Sequence, residues 1–268
     1  IGVPKTPYID IFYYKGEASN KQLLIMWRRE LIVAPVIFQP ILYRSERLVR
    51  LIEPRLKKFS SHIIRSPMHA DRDIYNLLEI TPKHINFSKN EIKKGENWLE
   101  NNGIPVDSKI VCLFVRDSAY LNKIDPKIDW EYHNYRDSEI DKFMLAAEEL
   151  AEYGYYVFRM GHTVEKEFRV NHPRVIDYAT NGMRDDFIDI YLASICDFII
   201  STGNGGECPG AWCFRKPWVA VGLCPIGYLP TYNHNAIFLT KHHIDKSNNI
   251  ELSLSEIFKR KLGRCLST

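Results

Sequence analysis

Residues Asp185–Val221 read DDFIDIYLASICDFIISTGNGGECPGAWCFRKPWVAV, and this stretch decides the fold. Ile188, Tyr191, Leu192 and Ile195 form one helical stripe, with Asp185 or Asp186 as its N-cap. Asp197-Phe198-Ile199-Ile200 is an apolar run too short for a helix and suited to a central parallel strand. Ser201-Thr202-Gly203-Asn204-Gly205-Gly206 follows at that strand's carboxyl end, the edge where open α/β sheets bind ligands. Its glycines permit close backbone approach, and a helix starting after them aims N–H groups at an anion. Lys216–Val221 opens the next strand.

Outward from this stretch the same alternation continues. Lys109–Val115 (KIVCLFV) is a buried strand ending in Arg116-Asp117-Ser118-Ala119-Tyr120. A long polar loop follows through Asp125, Pro126, Trp130, His133, Asn134, Tyr135 and Arg136, and loops in that position are often functional. A helix over 140–153 turns Phe143, Ala147 and Leu150 inward and stops at Gly154. Tyr155–Arg159 is a strand leading to Met160-Gly161-His162-Thr163, and Arg174–Ile176 is another leading to Asp177-Tyr178-Ala179. Asn235–Leu239 makes a sixth strand, and Ser253–Leu262 a terminal helix. Such alternation implies a mostly parallel sheet with helices on both faces.

The chain before Glu91 alternates more weakly. Tyr8–Tyr14 reads as a strand, Asn20–Leu31 as a helix, and Ile32–Ala34 as a short strand. A basic helix over 41–59 should be broken by Pro54, and a further helix is expected over 71–80. The basic face of the 41–59 helix reads as an ordinary solvated face or as a peripheral contact with anionic lipid or a lipid-linked acceptor. Asp71-Arg72-Asp73 matches a cation-binding pattern of some glycosyltransferases, but its place before a helical run makes it a helix start. Pro82–Asn90 is a linker, and Glu91–Asn102 a helix ended by Gly103. Two domains are therefore expected, 1–90 and 91–268.

The 268 residues are 45% hydrophobic and 26% charged, with a net charge of +3. That gives no footprint for nucleic acid, although a local basic lining for phosphates is compatible with it. No apolar run reaches the roughly 18 residues of a membrane span; Pro35 and Pro40 interrupt Leu31–Leu42. The chain opens on Ile1 rather than Met and is expected to continue a longer protein. Cys112 and Cys196 fall in or beside buried strands, and Cys208 and Cys213 lack zinc-knuckle spacing. Free thiols and a reducing, cytoplasmic compartment follow, with no metal and no resident cofactor.

The polar groups at successive strand ends should converge on one crevice. They are Arg116 and Asp117, Arg159 with Gly161 and His162, Asp177 and Tyr178, and Ser201, Thr202, Gly203, Gly206 and Glu207. Arginine forks pair with phosphate oxygens, and loop amides and hydroxyls add neutral donors, so the set suits a diphosphate ester. Each has a plainer reading too: Arg159 can simply pair with Asp177, and Arg116 with Asp117. Gly-x-x-x-x-Gly-Lys-Ser/Thr, Gly-x-Gly-x-x-Gly and Gly-x-Ser-x-Gly are all absent.

VRDSAYL (115–121), YHNYRDSEI (132–140), YYVFRMG (155–161), VIDYA (175–179) and DFIISTGNGG (197–206) occur in that order. As a set the chain resembles a family of bacterial glycosyltransferases found with surface-polysaccharide genes. The resemblance implies a GT-B-like α/β fold of two Rossmann-like domains, the N-terminal one on the acceptor side. Here that domain looks incomplete, lacking its glycine-rich first strand. The C-terminal domain would bind a nucleotide-sugar donor, and the acceptor would be a glycan or lipid-linked glycan. Arg116, with Arg136 or Arg159, would meet the phosphates, and Asp117 is the carboxylate placed for a base or sugar contact. Two other readings remain: a nucleotide-sugar epimerase or hydrolase using Asp117, His133, His162 and Glu207, and a non-catalytic carbohydrate-binding relative.

Overall fold

The structure, a computed structural model, describes residues 9–14, 16–52, 73, 76–203, 205–230 and 233–264. Pro54, Tyr8, Asp71, Arg72 and Asn204 lie outside the described residues. The chain divides into two compact units, Ile1–Ala70 with His84–Asn86, and Asp71–Lys83 with Phe87–Thr268.

In the first unit, Asn20 caps α1 (Lys21–Glu30), its side chain accepting from Leu23 N at 2.9 Å. The strand expected over 8–14 reduces, among the described residues, to a parallel bridge between Phe12 and Val33. Two hydrogen bonds make it, Phe12 N to Ile32 O at 2.9 Å and Ala34 N to Phe12 O at 2.8 Å. α2 runs Gln39–Ile52. Met26 and Ile85 are each 1% exposed and centre this unit's small core.

The second unit carries the sheet. Short α3 (Leu77–Ile80) precedes α4 (Lys89–Asn101), which starts in a capping box between Ser88 and Glu91. Then come β1 (Ile110–Phe114), α5 (Ala119–Ile124), α6 (Met144–Glu152), β2 (Tyr156–Met160), β3 (Val175–Ile176), α7 (Asp186–Ile195) and β4 (Phe198–Ser201). β5 (Trp218–Leu223) and β6 (Ala236–Thr240) complete the sheet. A two-stranded ribbon of β7 (Ile244–Asp245) and β8 (Ile250–Glu251) and the helix α8 (Leu254–Lys259) follow. The order is β3-β2-β1-β4-β5-β6 with every pair parallel. This is the doubly wound α/β order, which reverses direction between β1 and β4.

β1 is buried throughout because both its faces are covered. Cys112 and Phe114 face α4 and α7 through Leu99, Ile188, Tyr191 and Leu192. Val111, Leu113 and Val115 face Ile140, Phe143 and Ala147 on the other side. The helix expected over 140–153 begins instead as a 3-10 turn, Ile140–Phe143, before α6. The short helix after the glycine loop is a π-helical turn, Pro209–Cys213. Among the described residues the cysteines are free thiols, and no helix is long and apolar enough to cross a membrane.

Asp185 caps α7, accepting from Phe187 N at 2.9 Å. Beneath this helix start the wholly buried Tyr178 hydroxyl lies 3.0 Å from Asp189 Oδ1, and Arg184 Nη2 donates to Asp189 Oδ2 at 2.7 Å. Burial outweighs both partners and pushes the Asp189 carboxyl up to about 6.

Two outcomes are expected from this packing. A Cβ on Gly95 would stand 2.2 Å from the Tyr191 ring, inside the α4–α7 contact. Gly95→Ala gains about 1 kcal/mol of helix propensity but overpacks a core site at a cost of about 1–3 kcal/mol. With so short an approach the second effect wins, so the denaturant midpoint should fall; a rise would show that the ring gives way freely. Asp189 holds its proton more tightly folded than unfolded. Its contribution is therefore full below the ordinary carboxylate range and declines as pH rises to 6, by about 3 kcal/mol. The stability difference between the parent and Asp189→Asn should shift by about 2 kcal/mol of this between pH 4 and pH 7 in urea titrations. A difference independent of pH would refute the assignment.

Candidate functional site

The parallel register sets Phe114 beside both Met160 and Ser201, so β1, β2 and β4 end level with one another. Past these ends the chain is tied across the switch point. Thr202 N donates to Phe114 O at 3.0 Å, and Arg116 N donates to Thr202 Oγ1 at 2.7 Å. Gly203 adopts φ +76, and a Cβ there would stand 2.5 Å from Leu223 Cδ1. Only glycine suits that turn. Its carbonyl accepts from Arg136 Nη2 at 3.1 Å.

Arg136 ends a 3-10 turn, Glu131–Arg136, within the polar loop after β1. The turn is fastened by main-chain bonds. Ser138 N donates to Arg116 O at 3.0 Å, and Lys241 Nζ donates to Tyr135 O at 2.9 Å and Asp137 O at 2.6 Å. Lys241 directly follows β6, so a third strand exit contributes. Arg116, Arg136 and Lys241 thus meet where the sheet reverses direction.

The two arginines are under-satisfied. Arg116 Nε lies 3.0 Å from Asp137 Oδ1, yet neither atom has a hydrogen-bond partner of acceptable alignment. Arg136 Nε, His133 Nδ1 and the Tyr135 hydroxyl are also buried without a partner. Buried donors left open in this way are expected to meet a ligand or water. Burial first, then the neighbouring Arg136 guanidinium, lowers the Arg116 pKa. Burial and both arginines lower that of His133, favouring its neutral form. Burial raises the Asp137 carboxyl against the pull of Arg116, and lowers the Lys241 ammonium. A cavity of about 720 Å³ is lined by Asp137 and Lys241 of this cluster, by Asp117 and Arg159, and by apolar residues such as Val115 and Ile200.

The other residues singled out from sequence take different places. Asp117 Oδ1 accepts from Ala119 N at 3.1 Å and Oδ2 from Glu165 N at 2.9 Å, which pins the loop after β1 to the loop after β2. Arg159 is 1% exposed and donates to Asp177 Oδ1 at 3.0 Å. Asp177 also accepts from Phe168 N at 2.7 Å and from the Thr180 hydroxyl. Gly161 follows β2, and His162 is exposed, with Nδ1 3.0 Å from Thr163 Oγ1. Tyr178 faces Asp185 and Asp189 in the core. Ser201 is fully buried, its hydroxyl accepting from Gly203 N at 3.1 Å and Trp218 Nε1 at 3.0 Å. Gly206 is exposed on the turn and Glu207 is buried. Arg116, Arg136, Thr202 and Gly203 are therefore brought together, while Asp177, Tyr178 and Ser201 have their polar groups engaged internally and Arg159, paired with Asp177, keeps a buried Nε without a partner. Asp137 and Lys241 were not anticipated; the one signal for Lys241 is its position directly after a strand.

No protein-family model and no curated protein matches the sequence. Among solved structures the chain is similar to a family 9 glycosyl transferase from Veillonella parvula DSM 2008. The TM-score is 0.43 and the identity 12%, over 61% of this chain and 44% of that one. It is also similar to E. coli ADP-heptose lps heptosyltransferase II, with TM-score 0.39 and 14% identity over 66% of this chain and 52% of that one. The chain covers about half the length of each. The fold is read from the geometry of the chain itself, a six-stranded parallel sheet.

Proposed function

We propose that the second unit binds the diphosphate of a nucleotide-activated sugar and that the protein is a glycosyltransferase. The observation that carries this reading is the meeting of Arg116 and Arg136 beside the Thr202-Gly203 turn, with buried donors on both guanidinium groups left open. A guanidinium pair flanked by a glycine turn at the carboxyl edge of a parallel sheet suits two linked phosphates.

In the proposed reaction a carbohydrate hydroxyl attacks the anomeric carbon of the donor. The new C–O bond forms as the bond from that carbon to the terminal phosphate oxygen breaks, and the hydroxyl proton passes to a base. The leaving nucleoside diphosphate gains negative charge. Preorganised cations in a partly buried site stabilise that charge without reorganising during the step. Arg116 and Arg136 supply it here, so the reading is of a metal-independent transferase. Asp117, with both oxygens bonded to main-chain N–H groups, is assigned to holding the loop that presents Arg116. The acceptor is proposed to be a glycan or lipid-linked glycan of a bacterial surface polysaccharide, handled on the cytoplasmic side of the membrane.

A thermal-shift screen with UDP, GDP, CDP, ADP and dTDP tests the reading. One nucleotide should raise the melting temperature of the parent. Arg116→Ala and Arg136→Ala should each weaken its binding by about 10- to 100-fold, as expected for losing a charge-assisted hydrogen bond. No shift with any of the five would remove the donor-binding assignment.

A further inference from the structure

The cation cluster already holds an anion of its own. Asp137 is the residue after Arg136, and its Oδ1 lies 3.0 Å from Arg116 Nε, with the two side chains 21% and 10% exposed. At this closest approach the Arg116 Nε–H is not aimed at the Asp137 oxygen, so these two atoms meet as an ion contact. Charged pairs that are buried but poorly aligned recover little of their desolvation. Asp137 thus occupies the guanidinium without satisfying it.

The backbone around Asp137 is held independently of that carboxylate. Lys241 Nζ binds the Tyr135 and Asp137 carbonyls, Asp137 N donates to Asn134 O at 2.9 Å, and Ser138 N donates to Arg116 O at 3.0 Å. Arg136 is tied to Gly203 O. The carboxylate is therefore free to turn away from Arg116 while the turn carrying Arg136 stays in place.

We propose that Asp137 is a specificity-determining residue, a resident counter-ion that sets how much charge a ligand must bring. This rests on the reading of the cluster as a diphosphate site. An entering anion must displace the carboxylate from Arg116 and tolerate it nearby, because like charges close together in a partly buried site repel strongly. A group spanning Arg116 and Arg136 together gains two guanidinium contacts for that displacement. A single phosphate or a carboxylate gains one. The site therefore accepts linked phosphates and turns away monophosphates, and the selectivity resides in the side chain of Asp137.

Isothermal titration of the full chain with inorganic pyrophosphate and with orthophosphate, at fixed pH and ionic strength, tests this. The parent should bind pyrophosphate at least about tenfold more tightly than orthophosphate; equal affinities would overturn the proposal. In Asp137→Asn both anions should bind more tightly, orthophosphate by about tenfold and pyrophosphate by less, so that the preference narrows. Asp137→Ser, which is smaller and also uncharged, gives the same comparison if the asparagine variant folds poorly. Unchanged or weaker binding of both anions by these variants would overturn the proposal and make Asp137 a support for Arg116. If the parent binds pyrophosphate but no nucleoside diphosphate, the glycosyl-transfer reading fails while the two-anion comparison still decides the role of Asp137. Binding of neither anion by parent or variants overturns both.

Discussion

The hydrogen bond from Arg116 N to Thr202 Oγ1 joins the exits of the two strands between which the sheet changes direction. At such a point the loops on either side splay apart, and a crevice opens unless something spans it. Here the span is a hydroxyl only 2% exposed. With that tie made, the Arg116 side chain emerges beside the Gly203 turn, and Arg136 reaches the Gly203 carbonyl from the far end of the loop after β1. The whole candidate site is built around this bridge.

Arginines at adjacent strand ends meet different fates. Arg159 and Arg116 occupy neighbouring parallel strands, β2 and the exit of β1, yet Arg159 is sealed against Asp177 and Arg116 is not. Asp177 accepts from Arg159, Phe168 N and the Thr180 hydroxyl, so its charge is well compensated. Asp137 faces Arg116 with no aligned bond, and burial keeps its carboxyl raised. The first arrangement is a structural pair with a well-compensated carboxylate, although Arg159 Nε is itself buried without an aligned partner. The second leaves charge and donors open, the condition for binding something else.

Lys241 works through the backbone. Its ammonium spends its hydrogen bonds on the carbonyls of the turn carrying Arg136 and Asp137. A cation used in this way stiffens the turn, and the fixed turn holds Arg136 near Arg116 despite their repulsion. Burial first, and then that repulsion, lower the pKa of Arg116.

Much of the fold was legible in the residues. The short apolar runs at 110–114, 156–160, 198–201 and 218–223 are parallel strands, and Asp185 caps α7. These features depend on local sterics and on burial of consecutive apolar side chains, which composition and spacing reveal. The limits were local too: the run at 8–14 is rich in β-formers, but the described part shows a single bridge, because a strand requires a neighbour along its length. Of the site, sequence placed Arg116, Thr202 and Gly203 at one sheet edge, since every strand in a parallel sheet ends on the same side. It offered the Arg159–Asp177 pair as one of two readings, and could not say that Ser201 turns to Trp218 or that Lys241, 104 residues from Asp137, braces the loop. Those outcomes depend on which long-range partner reaches a buried polar group first, and only the packed chain decides that.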